Sequence, residues 1–204
     1  MRLPSLLLIA LLTACSATPV RNDAPAASEV RSTDNLGVIA AALAESPKRT
    51  LLVLDIDDTL LTSVGFFGSD SWYEWQQGLK ADDPGKVPCL FDVISLNYEA
   101  GSQQATQADG PALVNALQVD RLLLTSRNPL YRGGTLRTLQ DAGYALPAPL
   151  GNADAGLSWD FRKAPGARMS RVVYDQGVFM TTGQDKGLVL LDLLRRLGLR
   201  YDRV

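Results

Sequence analysis

Leu51-Leu52-Val53-Leu54-Asp55-Ile56-Asp57-Asp58-Thr59-Leu60-Leu61 carries four aliphatic residues without a break into three carboxylates and a threonine. An apolar run of this length, bounded by polar residues, predicts a strand buried on both faces. Its carboxyl end then presents Asp55 and Asp57 where open α/β sheets place their ligands. Buried carboxylates are costly unless paired or metal-bound. A strand that delivers acids to one spot therefore points to a cation held there. Two carboxylates two residues apart can take different roles when their environments differ. One attacks phosphorus and forms an aspartyl-phosphate. The other protonates the leaving group and later takes a proton from water. A hard, oxygen-ligated cation such as Mg²⁺ would gather Asp55 and the phosphate oxygens.

Asp55-Ile56-Asp57-Asp58-Thr59, behind Leu51 to Leu54, resembles the first signature of the haloacid dehalogenase-like superfamily in its phosphatase form, Asp-x-Asp-x-Thr. A dehalogenase does not need the second acid, so Asp57 points to phosphate rather than halide chemistry. The alternative for these residues is a buried strand ending in a solvated acidic turn. The resemblance implies an α/β fold: a Rossmann-like, mainly parallel sheet flanked by helices, with a small, mostly helical cap inserted after the first core strand. It also implies Asp55 as nucleophile, Asp57 as general acid/base and Mg²⁺ as cofactor. Both acids would serve the metal, Asp57 through its backbone carbonyl.

Two later stretches extend the likeness. Arg121-Leu122-Leu123-Leu124-Thr125-Ser126-Arg127 predicts a second buried strand ending in hydroxyls and an arginine. It resembles the second signature, with Thr125 at the position whose hydroxyl binds a phosphoryl oxygen. Arg127 would either help to hold phosphate or pair with an acid of the cap. Lys186, in Gly183-Gln184-Asp185-Lys186-Gly187, opens a helix. A lysine there opposes the helix dipole and makes sense facing an anion. It resembles the third signature, the lysine that neutralises the aspartyl-phosphate. The fourth signature is an acidic pair ending one more buried strand. Asp202 precedes any such run, and Asp82-Asp83 lies between Lys80 and Pro84, away from a strand end. The resemblance thus covers Leu51 to Val204 without its last element. The expectation is either a chain that continues or a weakened metal site.

Composition excludes other chemistries. The 204 residues contain no histidine and two cysteines, which removes Ser-His-Asp hydrolysis, histidine phosphatase chemistry and His- or Cys-rich zinc sites. With 46% hydrophobic residues the chain can bury a substantial core. A net charge of −2 argues against a nucleic-acid partner held through phosphates. Met1-Arg2, the apolar run Leu6 to Leu12 and Thr13-Ala14-Cys15 read as a signal peptide too short to span a membrane. Leu12-Thr13-Ala14-Cys15 resembles the bacterial lipobox. Residues 1–15 would then be a lipoprotein signal ending at an acylated Cys15, and Ser16 suggests sorting to the outer membrane, facing the periplasm. Residues 16–33, rich in Ala, Ser and Pro, read as a flexible tether. With Cys15 acylated, Cys89 has no intrachain partner and is expected as a small buried hydrophobe.

The phosphatase-like domain is expected over 34–204, with the cap insertion at about 62–110. A helix over Asn35 to Glu45 would be capped by Asp34. Within the insertion, Cys89 to Leu96 reads as a helix, with Leu90, Phe91 and Ile94 on it, in preference to a short strand, while Trp72 and Trp75 either pack the cap's own core or face the ligand. Pro111 opens a helix over Ala112 to Gln118. Asn128-Pro129 starts another that runs to about Ala142, with Gly143 as left-handed cap. Trp159 to Met169 is ambiguous and basic. Arg171 to Thr181 predicts a hairpin. The last helix would turn Leu190, Leu191, Leu193, Leu194 and Leu197 inward. The reading reached is a Mg²⁺-dependent phosphatase acting on a small phosphorylated substrate. A non-catalytic lipoprotein of the same fold, serving as a binding or assembly module, is the alternative.

Overall fold

The computed structural model describes residues 29–45, 49–151 and 153–204. Contacts divide the chain into Met1–Ser32 and Thr33–Val204. Cys15, the signal segment and most of the tether lie outside the described residues.

Among the described residues, seven strands and six α-helices follow in the order α1 (Val38–Ala44), β1 (Leu51–Leu54), β2 (Leu61–Ser63), α2 (Asp70–Gly78), α3 (Leu90–Ala100), β3 (Gln103–Ala105), α4 (Gly110–Ala116), β4 (Asp120–Thr125), α5 (Arg132–Asp141), β5 (Leu157–Phe161), β6 (Ser170–Asp175), β7 (Val178–Met180) and α6 (Lys186–Leu197). The main sheet has the order β1-β4-β7-β6-β5. β1, β4 and β7 are parallel; β6 runs against both β7 and β5, so every strand but β6 points the same way. On the other side of β1, Arg203 bridges Thr50 in parallel. The architecture is the expected Rossmann-like α/β fold with a mainly parallel sheet.

Strand periodicity builds two apolar layers. Leu51, Leu122, Leu124, Val172, Tyr174 and Phe179 pack on one face with Val189, Leu190, Leu193 and Leu194 of α6. Leu54, Leu123, Val178 and Met180 pack on the other with Val114 of α4 and Leu139 of α5. Consecutive residues of β4 thus serve opposite faces, which is why its sequence is apolar throughout.

Past β1 the chain turns sharply: the Ile56 carbonyl accepts from the backbone N–H of Thr59, Leu60 and Leu61. β2 then pairs antiparallel with β3, and α2 and α3 lie between them in sequence. The insertion therefore leaves and re-enters the core through one short two-stranded ribbon. Gln76, buried in α2, donates to the Gly85 carbonyl and accepts from Val87 N–H, tying down the loop that follows it.

Several local expectations shift. α1 begins at Val38, and Gly37 N–H is taken by the Asn35 side chain rather than by a cap from Asp34. Asn128 caps a 3-10 turn, Pro129–Tyr131, ahead of α5, and Gly143 takes the expected left-handed conformation at φ 90°. The ambiguous stretch contributes β5, and the hairpin closes through Gln176 and Gly177, both at positive φ. In α6, Leu191 is 58% exposed and Val189 is buried instead. The 3.6 period places 189, 190, 193 and 194 on one stripe and 191 beyond it. Cys89 is exposed because it precedes α3 as its N-cap, ahead of the buried face. Trp72 is buried, while Trp75 is 47% exposed.

The helices α3 and α5 meet backbone to backbone. A Cβ at Gly134 would fall on the Tyr98 carbonyl, well inside van der Waals contact. Gly134→Ala should therefore cost about 2 kcal/mol, in the range of overpacking, read as a lowered midpoint in urea denaturation; a midpoint equal to wild type would show that the two helices separate freely.

Candidate active site

The carboxyl ends of β1, β4 and β7 converge on one cavity of about 780 Å³, lined from the sheet side by Asp55, Asp57, Ser126, Arg127, Asn128, Thr182, Gly183 and Lys186. α2 and α3 close it from the other side with Asp70, Tyr73, Phe91, Ile94 and Tyr98. This is the place that open parallel sheets reserve for ligands.

Asp55 follows β1 directly. One of its oxygens accepts from Ile56 N–H at 2.8 Å, and the other lies 2.7 Å from Lys186 Nζ. Lys186 is the first residue of α6, where Asp185 caps the helix by accepting from Leu188 N–H. The anion that answers the lysine's unfavourable place on the dipole is thus Asp55. Both side chains stay about a third exposed, open to the cavity.

Asp57 belongs to Arg127. The guanidinium donates Nε to both carboxylate oxygens at 3.1 and 3.2 Å, and Nη2 to Oδ1 at 2.7 Å. Its other donors go to Thr135 Oγ1 and Gln103 Oε1, both at 3.0 Å. The ring of Tyr98 lies 4.0 Å from the guanidinium carbon. The arginine side chain has no solvent exposure. The acid that pairs with Arg127 is thus the second acid after the core strand rather than an acid of the cap, and the arginine also lines the cavity. Thr125, fully buried, donates its hydroxyl to Asp57 Oδ2 at 3.3 Å and accepts from Arg127 N–H. Its hydroxyl serves Asp57 in this arrangement.

The loops after β4 and β7 are laced together. Thr181 N–H donates to the Thr125 carbonyl, Thr182 N–H to that of Arg127 and Gly183 N–H to that of Ser126. Asp58 and Thr182 both hold positive φ, 50° and 52°. A β-branched residue there is strained, and such strain gathers at sites. Arg168, in the loop after β5, joins the cavity by donating to the Thr182 carbonyl at 2.5 Å.

The acids here outnumber the cations. Asp70, the first residue of α2, has its carboxyl pushed up to about 6, first by desolvation and then by the charges of Asp57 and Asp58. Desolvation, and next the Asp57 charge, raises the Tyr98 phenol well above its usual range. Such an excess of negative charge suits a divalent cation. Among the described residues no three acidic or thiol side chains converge into a metal cage. Magnesium does not need one, since it commonly takes one or two carboxylates and fills the rest with water and substrate oxygens.

Sequence reading located Asp55, Asp57, Thr125, Arg127 and Lys186, and the fold brings all five to one end of the sheet. It passed over Asp70, Tyr98 and Arg168. The basic character of 159–169 was the signal available for Arg168; the acid and the tyrosine stand in helices whose facing depends on how the insertion docks.

A model of the family described as protein of unknown function (DUF2608) matches residues 32–204. No curated protein matches the chain. Among solved structures, the class C acid phosphatase from Bacillus anthracis aligns at 16% identity and a TM-score of 0.40, over 79% of this chain and 53% of that one. The chain thus spans about half the length of the structure it matches.

Breaking the buried pair is informative in its own right. Arg127→Met should lower stability by about 3 kcal/mol, because Asp57 would be left without its partner. Adding Asp57→Asn to that variant should recover part of the loss in a denaturant double-mutant cycle; purely additive losses would show that the two groups are not coupled.

Proposed function

This chain belongs to the DUF2608 family, and from the geometry of its site we propose that it is a haloacid dehalogenase-like phosphatase hydrolysing phosphate monoesters. The observation that carries the reading is Asp55: a carboxylate at the carboxyl end of β1, open to the cavity and held by Lys186 at 2.7 Å. In the proposed reaction an Asp55 oxygen forms a bond to phosphorus as the ester P–O bond breaks, and the alcohol leaves with a proton. Water then attacks phosphorus, the bond to Asp55 breaks, and inorganic phosphate departs. Lys186 offsets charge on the phosphoryl group, and Ser126 and Asn128 border the space for its oxygens. Asp57 is assigned the general acid/base role, with Arg127 and Thr125 fixing its orientation. Asp55, with the backbone carbonyl of Asp57, would hold Mg²⁺. Bound there, the metal would supply electrostatic neutralisation between nucleophile and phosphate.

The second reading, a non-catalytic binding module, draws on one feature: Asp55 and Asp57 are each neutralised from within the chain. The two readings separate on one variant. Asp55→Asn should cut Mg²⁺-dependent release of phosphate from p-nitrophenyl phosphate by about a thousandfold or more. Turnover retained in that variant would sink the nucleophile assignment, and no turnover in wild type would favour the binding module.

Localisation is proposed on the lipobox likeness. Cys15 would carry the acyl chains that tether the domain to the outer membrane, facing the periplasm, with no nucleic-acid partner. Labelled palmitate should enter the wild-type chain and not Cys15→Ser; equal labelling of both would end that proposal.

A further inference from the structure

The two walls of the cavity differ in kind. On the sheet side each acid has a cation: Asp55 has Lys186 and Asp57 has Arg127. On the insertion side, Asp70 and Asp92 line the same cavity without a hydrogen-bond or ion-pair partner among the described residues. Tyr73, Phe91 and Tyr98 line the cavity with them. Phe91, Ser95 and Tyr98 recur at i, i+4 and i+7 along α3, so they share a face. Tyr73 stands three residues after Asp70 in α2, and its ring lies 6.2 Å from that of Phe91. Phe91 is 70% exposed at this wall, an apolar surface that stands open among the described residues.

A helix dipole favours an acid in a first turn, and each of the two acids has such a place. It does not explain why both helices aim that turn, with aromatic residues beside it, into one cavity. Carboxylates set among aromatic faces are the chemistry that recognises an organic cation: the rings supply quadrupole attraction over apolar surface, and the acids supply net charge. The site already uses the first of these, with the Arg127 guanidinium seated on Tyr98. A phosphate alone would leave most of 780 Å³ unfilled.

We propose that the ester this cavity accepts is the phosphomonoester of an amino alcohol. Its phosphate lies against Lys186 and Asp55, and its ammonium group against Asp70, Asp92 and the ring of Phe91. This rests on the phosphatase reading and deepens it. A zwitterion of this kind matches the polarity of the cavity, with cations paired to acids at the sheet side and acids among aromatic residues at the insertion side. A neutral or acidic leaving group would leave the two exposed cap acids to solvent.

The full chain is assayed with choline phosphate and with 3,3-dimethylbutyl phosphate, its uncharged carbon isostere. The expected result is a kcat/KM about tenfold or more higher for the charged ester, with the ratio falling toward one in Asp70→Asn/Asp92→Asn. A wild-type ratio near one, with both esters hydrolysed, overturns the proposal and leaves the phosphatase reading standing. If neither ester is hydrolysed while p-nitrophenyl phosphate is, the proposal is overturned and the phosphatase reading stands; if none of the three is hydrolysed, the phosphatase reading fails, and calorimetry with the two esters decides the recognition. Tighter binding of choline phosphate than of the isostere supports the ammonium site; equal binding, or none, overturns it.

Discussion

A guanidinium without solvent contact must have its donors answered inside the protein, and Arg127 recruits four parts of the chain to do so. Asp57 comes from the turn after β1, Thr135 from α5, Gln103 from β3 and the ring of Tyr98 from α3. Two of these belong to the core, and two to the ribbon and helix of the insertion. The charge that answers the second acid of the site is therefore also the bolt that fixes the insertion over it. The two halves depend on each other: without the insertion the guanidinium loses partners, and without the guanidinium Asp57 keeps, among the described residues, only the Thr125 hydroxyl as a side-chain donor.

The sheet supplies the frame in which that bolt can close. β1, β4 and β7 are parallel and adjacent, so their carboxyl ends stack side by side. Asp55, Thr125 and the Thr181–Gly183 loop then fall within reach of one another although they lie far apart in sequence. Backbone hydrogen bonds between the loops after β4 and β7 set the start of α6, and with it the position of Lys186 against Asp55. Strain at Asp58 and Thr182 is carried by this lacing: Asp58 N–H donates to the Leu61 carbonyl at 2.8 Å, and the Thr182 hydroxyl to that of Arg171 at 2.7 Å.

What could be read from sequence follows from which interactions are local. The buried strands announce themselves because both faces are covered, giving unbroken apolar runs at Leu51 to Leu54 and Leu122 to Leu124. Asp55 and Asp57 are legible because they end such a run, and Lys186 because a cation at a helix start needs a reason. Arg127 was found but its partner was not, since the pairing joins residues 70 positions apart. Leu191 was misplaced because a helix in which half the residues are leucine hides the edge of its buried stripe. Cys89 was misplaced because composition favours burial while its place outside the first turn of α3 does not. The insertion resisted reading for a further reason: its aromatics are divided between its own packing, as at Trp72, and the cavity, as at Phe91. That division depends on docking, which no local period encodes.

The docking also bears on how a ligand reaches the acids. A cap that swings away would have to strip Tyr98 and Gln103 from a buried cation and part α3 from α5 at Gly134, where the backbones touch. Arg137 adds a second tie, donating to the Glu99 carbonyl at the end of α3. Losing partners of a buried charge costs several kcal/mol, more than a loosely held lid spends on each cycle. The cavity, by contrast, already has an open side, marked by the exposed ring of Phe91. Exchange through that mouth leaves the Arg127 contacts intact. In the proposed phosphatase, selectivity would come from what lines the walls rather than from a closing motion, and the first turns of α2 and α3 would carry it.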